Sequence, residues 1–413
     1  MPLSTTQLVN LAQKYGTPLY VYDAEIIARQ FQKLKNAYAN APSLKIRYAM
    51  KALSNISVVA YLKNLGAQID AVSIEEVQLA LFVGFAPSEI GYTPSGVPFD
   101  EIKRAVALGV NIHLDSIPVL NQFGAEYGNS VEVGLRINPN VAAGGNFKIS
   151  TAHSKSKFGI NILQIDDVLA VVKKYDMRIT NLHQHTGSEI KDAETFLQVA
   201  DLILNLAHKF PNLTNIDLGG GFKIAYKPDE VDADIDTIGA AVCKKFNAFC
   251  SEYGRELTLV LEPGKYLVAQ CGTFLTSATV VKHNPELNFV GIDSGLNHLI
   301  RPMMYGSYHP IENISRETSS TEMYNVVGYI CETDTFGEAR QLPQTHVGDV
   351  IAIQNAGAYG FTMASNYNSR LKPAEVFVID GIDYLIRARE VFDDLLRHQV
   401  LLSFEPLAKP INF

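Results

Sequence analysis

The sequence predicts an α/β fold, a (β/α)8 TIM-type barrel followed by a mostly antiparallel β domain. Up to residue 267, strand-like runs alternate with segments of helical periodicity. Eight such runs can be counted, as a (β/α)8 barrel requires. From residue 268 onward, alternating β-branched runs with turn residues between them are typical of antiparallel strands. An open, doubly wound sheet remains an alternative for the first part of the chain.

The elements are predicted in chain order as follows. An amphipathic helix at about residues 5–15 precedes a strand at 18–22, and Asp23 is placed to cap the next helix. The barrel strands are predicted at 44–50, 67–72, 89–92, 110–114, 131–137, 178–184, 214–218 and 257–262, and a long glycine-bearing loop at 138–161. The later strands are predicted at 273–281, 325–331, 349–354 and 375–380, and a short helix at 388–397. This gives a barrel domain at 23–267 and a β domain at 268–413, with residues 1–22 packing on the latter.

The composition excludes several classes of protein. The net charge of -8 argues against nucleic acid, for which a basic surface is expected. No apolar run is long enough to span a bilayer, and the first residues do not have the pattern of an export signal. The four cysteines show neither metal-ligand spacing nor the pattern of a secreted disulfide framework. We therefore expect a cytoplasmic protein with reduced thiols.

Lys51 is the first candidate for a functional residue. It directly follows the apolar end of the first barrel strand, in Tyr48-Ala49-Met50-Lys51-Ala52. A lysine there is either a solvated loop residue, as most lysines are, or a working amine. An amine that captures a carbonyl must lose a proton from a reference pKa of about 10.4, which requires a desolvated or positively charged pocket. We expect the rest of the chain to supply that pocket.

Other polar residues are predicted at the same end of the barrel, where (β/α)8 enzymes collect their reactive side chains. They are Asp70, Arg136, His185, the triplet Gly219-Gly220-Gly221 and Glu262. Each alone has an ordinary explanation, such as a loop histidine, a flexible turn or a solvated strand end. The strand before the triplet and the helix after it favour a backbone-amide cradle for an anion such as phosphate. Asp70 and Arg136 are also consistent with residues that only brace the pocket.

An amine, a phosphate cradle, an imidazole and a carboxylate are together what pyridoxal 5'-phosphate requires. The amine binds the aldehyde and the glycine amides hold the phosphate. The carboxylate keeps the ring nitrogen protonated, so that the ring can accept electrons from the substrate. An imidazole lying on the ring fixes its tilt. A protonated ring nitrogen makes the strongest electron sink, which suits the loss of carbon dioxide.

A series of short motifs extends over nearly the whole chain. They are Thr17-Pro18-Leu19-Tyr20-Val21-Tyr22, the segment around Lys51, His183-Gln184-His185-Thr186-Gly187-Ser188, Gly219-Gly220-Gly221-Phe222, Glu262-Pro263-Gly264-Lys265, Arg301-Pro302-Met303-Met304-Tyr305, Cys331-Glu332-Thr333-Asp334-Thr335 and Gly357-Ala358-Tyr359-Gly360. In these motifs and their order, the chain resembles the fold type III pyridoxal-phosphate decarboxylases, and among them the diaminopimelate decarboxylases.

The resemblance implies roles for the matching residues. Lys51 carries the cofactor, His185 stacks on its ring, Glu262 pairs with the ring nitrogen, and Ser188 with Gly221 belongs to the phosphate site. The remaining implied cofactor contacts are Gly219, Gly220, Gly264 and Tyr359. Arg301 and Tyr305 match residues that hold the far carboxylate of the substrate, Glu332 matches one that recognises its far amino group, and Tyr359 matches one near both cofactor and substrate.

Cys331 matches the thiol that protonates the substrate carbon after carbon dioxide leaves. A free cysteine at the end of a β run is more commonly a small buried hydrophobe. In the family, Cys331 and Glu332 would reach the active site from the neighbouring subunit. The resemblance therefore implies a head-to-tail homodimer with shared active sites.

Lys265 departs from the family pattern, which ends this motif in arginine. A lysine does not reproduce the two-pronged grip of arginine on a carboxylate. If this position binds the far carboxylate of the substrate, the lysine weakens that binding by about 1 kcal/mol. Alternatively, the lysine indicates a different substrate. Because Arg301 still offers a guanidinium, we expect decarboxylation of meso-2,6-diaminopimelate to L-lysine, the last step of lysine biosynthesis.

Three other functions are weighed against this one. A related decarboxylase of ornithine, arginine, lysine or a carboxylated polyamine would not need Arg301 to contact its substrate. An amino-acid racemase of the same fold is expected to have an arginine against the ring nitrogen, where this chain has Glu262. A noncatalytic relative that binds a regulatory protein would not need Lys51, His185 and Cys331.

Overall fold

The computed structural model describes residues 3–141, 156–316 and 320–402. The chain begins with helix α1 (Thr5–Tyr15) and strand β1 (Leu19–Asp23), close to the predicted positions. The side chain of Ser4 caps α1 by accepting a hydrogen bond from the backbone N–H of Gln7. Asp23 caps helix α2 (Ala24–Ala37) in the same way, as predicted, by accepting from the N–H of Glu25 at 2.9 Å.

Eight parallel strands in the described part of the chain form a closed barrel. They are β2 (Leu44–Ala49), β3 (Gln68–Ala71), β4 (Ile90–Tyr92), β5 (Asn111–Leu114), β6 (Val133–Asn138), β8 (Ile179–Gln184), β9 (Asn215–Asp217) and β10 (Thr258–Leu261). The ring closes because β10 pairs with β2 and β5 pairs with β6. The predicted (β/α)8 barrel is confirmed, and the open sheet is excluded.

Helices cover the outside of the barrel. They are α2, α3 (Ile56–Asn64), α4 (Ile74–Val83), α5 (Phe99–Leu108), α6 (Ile117–Tyr127), α7 (Ile165–Lys174), α8 (Ala193–Ala207) and α9 (Ile235–Tyr253). These helices pack on the barrel through an apolar face. In helix α9, for example, Ile238, Val242 and Phe246 recur at helical spacing and are buried. No helix among residues 3–141, 156–316 and 320–402 is both long and apolar enough to cross a bilayer.

The segment predicted as a long loop at 138–161 is described only in part. Residues 142–155 lie outside the described residues. At its end, the two-residue strand β7 (Ile160–Asn161) pairs in parallel with β6, next to the closed ring.

The second sheet contains the later strands of the chain. They are β11 (Gly272–His283), β12 (Asn288–Ile292), β13 (Ile311–Asn313), β14 (Thr321–Val327), β15 (Thr335–Pro343), β16 (Val350–Ile353), β17 (Ala374–Ile379) and β18 (Ile382–Arg387). Most pairs are antiparallel, as predicted; the parallel exceptions are β12 with β14 and β1 with β17. The short helices α10 (Lys265–Val268), α11 (Arg301–Tyr305) and α12 (Phe392–Leu396) accompany this part.

The N-terminal segment belongs to the second sheet. Strand β1 lies between β11, to which it is antiparallel, and β17, to which it is parallel. Helix α1 buries Leu8 and Leu11 in a core shared with Leu19 and Leu275 of the two adjacent strands. The first residues of the chain therefore fill the centre of a sheet whose other strands come much later in the sequence.

Two predicted boundaries in this region are wrong. The run predicted as a strand at 325–331 ends at Val327, because the carboxylate of Asp334 accepts hydrogen bonds from the N–H groups of Ile330 and Leu296 and folds the chain into a turn. A Cβ at Gly328 would lie 2.1 Å from Asp334 Oδ2, so this turn requires glycine. The helix predicted at 388–397 is shorter, Phe392–Leu396.

Candidate active site

A cavity of about 600 Å³ lies where the C-terminal ends of the barrel strands meet the second sheet. This volume is in the range of small-molecule sites. The predicted residues that line it are Lys51, His185, Ser188, Gly221, Glu262, Gly264, Lys265, Arg301, Tyr305 and Tyr359. The predicted Gly219 and Gly220 are not among the lining residues. The structure thus brings together residues from both parts of the chain.

Lys51 lies in a single 3-10 turn, Met50–Ala52, just beyond strand β2. Its Nζ is 3.3 Å from Oδ2 of Asp70, and 41 % of the side chain remains accessible, toward the cavity. Burial alone would lower the pKa of Lys51, but Asp70, Tyr359 and nearby glutamates outweigh burial and raise it. The pocket therefore desolvates the amine, as expected, but it is also rich in carboxylates, which act in the opposite direction.

Glu262 is a buried carboxylate, and its two oxygens differ in their hydrogen bonding. Its Oε2 is 2.8 Å from Nε2 of His183. Its Oε1 is buried and has no hydrogen-bond partner among the residues that the structure describes. His183 was not identified from the sequence, although it stands two positions before His185. Alternation along a strand places residues i and i+2 on one side, a signal that would have paired the two histidines.

His185 is a neutral imidazole at the edge of the cavity. Burial lowers its pKa to about 3, and the positive charges of Lys51 and Arg136 act in the same direction. Its Nδ1 lies 3.3 Å from the backbone N–H of Gly220, from which it accepts a hydrogen bond. The ring proton is therefore on Nε2. An uncharged flat ring in this position can lie against an aromatic ligand.

The glycine triplet is required by close backbone packing. A Cβ at Gly220 would lie 2.2 Å from the carbonyl oxygen of Glu262, and one at Gly221, where φ is +98°, would lie 2.1 Å from the carbonyl oxygen of Gly187. The N–H groups of Gly219 and Gly220 donate to side chains of Asp217 and His185. Of the three glycines, Gly221 lines the cavity, as does Gly264. An amide cradle for phosphate at this triplet stays a prediction, and Gly221 is its member that faces the cavity.

Ser188 lies beside Gly221 at the same end of the cavity. Its Oγ is buried and has no partner within the described ranges of the chain. A buried hydroxyl without a hydrogen bond is costly, so the site is suited to a ligand that supplies acceptor atoms here.

Arg301 is a buried guanidinium surrounded by tyrosine rings. The side chain of this residue is nearly inaccessible, and its Cζ is 5.4 Å from the ring centre of Tyr226 and 5.9 Å from that of Tyr305. Among residues 3–141, 156–316 and 320–402, no carboxylate lies within ion-pair distance of Arg301, and its Nε has no hydrogen-bond partner. A buried cation without an anion predicts an anionic ligand. Tyr226 was not identified from the sequence, because its loop contains no recognisable motif.

Lys265 differs from Arg301 because it already has an anionic partner. Its ammonium forms an ion pair with the carboxylate of Glu189, and both residues line the cavity. Burial lowers the pKa of Lys265, and Glu189 opposes this shift. Glu189, which directly follows the predicted Ser188, was also not identified from the sequence.

Tyr359 joins the second part of the chain to the turn that holds Lys51. Its backbone N–H donates to the carbonyl oxygen of Ala52 at 2.8 Å. Its ring is 5.8 Å from the guanidinium of Arg301. The backbone of Tyr359 therefore contacts the turn that holds Lys51, and its ring faces the guanidinium of Arg301.

Cys331 and Glu332 do not line this cavity. Cys331 is exposed, whereas Cys243, Cys250 and Cys271 are buried. The thiol is 3.3 Å from Nδ2 of Asn368, and the hydroxyl of Tyr367 donates to Glu332 at 3.1 Å. The exposed position excludes the alternative that Cys331 is a small buried hydrophobe.

Comparison with known proteins gives the relationships of the chain. Residues 24–269 match the family described as pyridoxal-dependent decarboxylase, pyridoxal binding domain. The chain is 38% identical to a diaminopimelate decarboxylase of Methanothermobacter thermautotrophicus, over 95% of this chain and 93% of that protein. It is 34% identical to the diaminopimelate decarboxylase of Campylobacter jejuni, over 93% and 96% of the two chains.

Solved structures show the same relationship. Diaminopimelate decarboxylase from Helicobacter pylori, complexed with L-lysine, superposes with a TM-score of 0.86 at 33% identity, covering 94% of this chain and 98% of that one. The M. jannaschii diaminopimelate decarboxylase, in co-complex with L-lysine, gives 0.87 at 31% identity, covering 96% and 94%. The chain therefore belongs to the family of pyridoxal-dependent decarboxylases that includes the diaminopimelate decarboxylases.

Proposed function

We propose that the protein uses pyridoxal 5'-phosphate to decarboxylate meso-2,6-diaminopimelate, forming L-lysine and carbon dioxide in the last step of lysine biosynthesis. The observation that carries this proposal is the pairing, in one cavity, of the Lys51 amine with the buried guanidinium of Arg301, for which the described residues supply no carboxylate. The related diaminopimelate decarboxylases support the same choice.

The cavity residues fit the cofactor. Glu262 Oε1 and Ser188 Oγ are buried polar atoms without protein partners in the described chain, and they suit a ring nitrogen and a phosphate respectively. Gly221 and Gly264 both line the cavity, where their backbone can approach a phosphate. When bound, pyridoxal 5'-phosphate supplies an aldehyde for covalent attachment and an electron-withdrawing ring.

The residues around the cofactor site have separate tasks. Lys51 provides the amine for attachment, and Asp70 orients it by accepting a hydrogen bond from its Nζ at 3.3 Å. His185, which burial keeps neutral, packs against the ring without adding a charge. Glu262 offers its second oxygen to the ring nitrogen. Arg136, whose guanidinium stacks on Phe158 at 4.7 Å, braces the wall of the cavity.

The far end of the cavity determines the substrate. Arg301 binds the far carboxylate of meso-diaminopimelate, supported by Tyr305 and by the ring of Tyr359. Lys265 contributes less charge to this carboxylate than a free lysine would, because Glu189 neutralises it. An arginine, ornithine or lysine decarboxylase remains the alternative, since its substrate has a cationic far end. A buried Arg301 without a carboxylate partner would repel such a substrate.

We also propose a head-to-tail homodimer in which Cys331 and Glu332 complete the active site of the other subunit. Two observations support it: both residues are exposed, and neither lines the cavity of its own chain. In the partner's cavity, Cys331 would donate a proton to the substrate carbon that has lost carbon dioxide, and Glu332 would bind the far amino group.

Two further assignments are part of the proposal. The chain divides into a barrel domain at 23–267 and a β domain at 268–413, and the pairing of β1 with β11 and β17 supports the packing of 1–22 on the second domain. A cytoplasmic location suits an exposed thiol at Cys331 that must stay reduced. Cell fractionation with an antibody against the protein tests the location.

A panel of substrates tests the proposed activity. The purified protein is incubated with pyridoxal 5'-phosphate and, separately, with meso-diaminopimelate, L-ornithine, L-arginine and L-lysine, and released carbon dioxide is measured. We expect release from meso-diaminopimelate alone. Release from ornithine or lysine instead would support the alternative, and no release from any of the four would refute a decarboxylase of this group.

A further inference from the structure

His183 and Glu262 form a buried contact beneath the cavity. His183 is 1% exposed and Glu262 is 6% exposed. The distance of 2.8 Å between His183 Nε2 and Glu262 Oε2 is that of a strong, charge-assisted hydrogen bond. The contact reaches across strand β9, since His183 is in β8 and Glu262 follows β10.

The direction of this hydrogen bond is fixed by the charge of the histidine. Burial holds the pKa of His183 well below its ordinary value, and Arg136 acts in the same direction, so the ring is neutral and carries one proton. A carboxylate can only accept, and therefore the proton is on Nε2 and points to Glu262. The other nitrogen, Nδ1, is buried and has no partner among the described residues.

A second histidine fixes the plane of the His183 ring. The ring of His113 stacks on that of His183 with a centroid distance of 5.2 Å and an angle of 13°. His113 is held on both sides, by Thr93 Oγ1 at 2.7 Å from Nδ1 and by Asn181 Nδ2 at 2.7 Å from Nε2. The stack requires Gly134, where a Cβ would lie 2.3 Å from His113. The donor that contacts Glu262 is thus held in a rigid arrangement.

Glu262 needs such a donor because other acidic groups surround it. Burial and the proximity of Glu262 raise the pKa of both Asp70 and Asp217, which indicates that the three carboxyl groups act on one another. The cations that act on Glu262 are Lys51 and Arg136, and the neutral histidines near it are His113 and His185. Among these neighbours, the N–H of His183 donates to Glu262 and so fixes the orientation of its carboxylate.

We propose that His183 is a positioning residue for the reaction: by donating to Oε2, it holds the Glu262 carboxylate turned so that Oε1 stays available to the ring nitrogen of the cofactor. The inference deepens the proposed function and rests on the role that it gives to Glu262. His183 does not contact the reacting atoms; it acts through Glu262, and His113 holds it in place.

Two matched variants distinguish the hydrogen bond that His183 donates from the stacking of its ring on His113. His183→Phe keeps a flat ring for the stack with His113 but donates no hydrogen bond, whereas His183→Gln keeps an N–H near the position of Nε2 but loses the ring. Each variant is loaded with pyridoxal 5'-phosphate labelled with 15N at the ring nitrogen, and the protonation of that nitrogen is followed by NMR from mildly acidic to mildly basic pH. Cofactor affinity is measured on the cofactor-free proteins.

We expect the ring nitrogen to stay protonated throughout in the wild type and in His183→Gln. In His183→Phe, it should lose its proton as the pH rises, and kcat should fall by about tenfold to a hundredfold, the size of a charged hydrogen bond. His183→Phe in a Glu262→Gln background should change nothing further, because the effect passes through Glu262.

The outcomes distinguish this inference from the proposed function. A ring nitrogen that stays protonated in His183→Phe, with unchanged turnover, would overturn the role of His183 and leave that of Glu262 intact. An unprotonated ring nitrogen in the wild type would overturn both. If His183→Phe does not fold, His183→Leu replaces it, and a protonated ring nitrogen in that variant contradicts the inference equally.

Discussion

At the scale of single residues, the charge around Lys51 is set by side chains that are distant in the sequence. Asp70 lies 3.3 Å from its Nζ, and Glu76 and Glu262 add further negative charge. The sequence identified Lys51 from its place at the end of a strand, but it could not show that neighbouring carboxylates raise the pKa of the amine. That property depends on three separate strands and helices meeting at one point.

Replacement of Lys51 tests covalent attachment of the cofactor. Lys51→Ala should abolish the visible absorption of covalently bound pyridoxal 5'-phosphate, because Lys51 is the cavity-lining amine that contacts Asp70. The exposed Lys33→Ala serves as the matched control and should keep the absorption. A Lys51→Ala protein that still binds the cofactor covalently at this site would refute the assignment.

Replacement of Glu189 tests whether Lys265 depends on its ion pair. In Glu189→Gln, the buried ammonium loses its anionic partner, so the free energy of unfolding should fall by about 1–3 kcal/mol. Urea unfolding of the cofactor-free protein measures the change. In a Lys265→Met background, Glu189→Gln should cost clearly less, because no unpaired ammonium remains. Equal costs in both backgrounds would show that the two side chains do not interact.

Cys331 is the third residue with a specific prediction. Cys331→Ala should lower kcat by about 100- to 10,000-fold, the usual contribution of a positioned acid, while the cofactor stays bound. The rate of carbon dioxide release measures the fall in kcat, and the absorption spectrum shows whether the cofactor stays bound. A normal rate would remove Cys331 from the proton transfer.

At the scale of elements, the barrel could be predicted because its pattern is local. Parallel strands buried on both sides are short apolar runs, and amphipathic helices separate them. The pairing of β1 with β11 and β17 could not be predicted from such patterns, because β1 is hundreds of residues from both partners in the sequence. The end of β14 was misjudged for a related reason: Asp334 turns the chain after Val327.

Helix α4 carries a carboxyl group that should make stability depend on pH. Burial raises the pKa of Glu76 to about 7, although the N–H of Val72 donates to it at 2.8 Å. The folded protein therefore binds a proton more tightly than the unfolded chain does, so the contribution of Glu76 to stability is complete below about pH 4.5 and is lost as the pH rises through about 7.

Glu76→Gln should remove this dependence while keeping an oxygen for the N–H of Val72. The difference in unfolding free energy between wild type and variant should change by about 1–3 kcal/mol between acidic and basic pH. Urea unfolding at a series of pH values measures it. A difference that is constant with pH would show that Glu76 titrates as it does in water.

At the scale of the whole molecule, the cavity is built from both parts of the chain, and the proposed dimer would complete it. Lys51, His185 and Glu262 come from the barrel, whereas Arg301 and Tyr359 follow the strands of the second sheet. The motifs allowed this grouping to be predicted residue by residue. Strand alternation could have placed His183 beside His185, but the partners of His183, Glu189 and Tyr226 could not be predicted, because only the folded chain brings them close.

Mixing two inactive variants tests the shared active sites. Lys51→Ala and Cys331→Ala subunits, unfolded together and refolded, should recover about a quarter of the wild-type activity, because half of the dimers are mixed and each has one intact site. Neither variant refolded alone should recover any. If the mixture stays as inactive as its components, Cys331 does not act across a dimer interface.

The central claim is that the Lys51 cavity decarboxylates a substrate whose far carboxylate binds Arg301. The most direct test is the kcat/KM for release of carbon dioxide from meso-diaminopimelate by the wild type and by Arg301→Gln. We predict release by the wild type and a fall in kcat/KM of about tenfold to a hundredfold in the variant, mainly through KM. No release by the wild type, or an unchanged kcat/KM in Arg301→Gln, would contradict the claim.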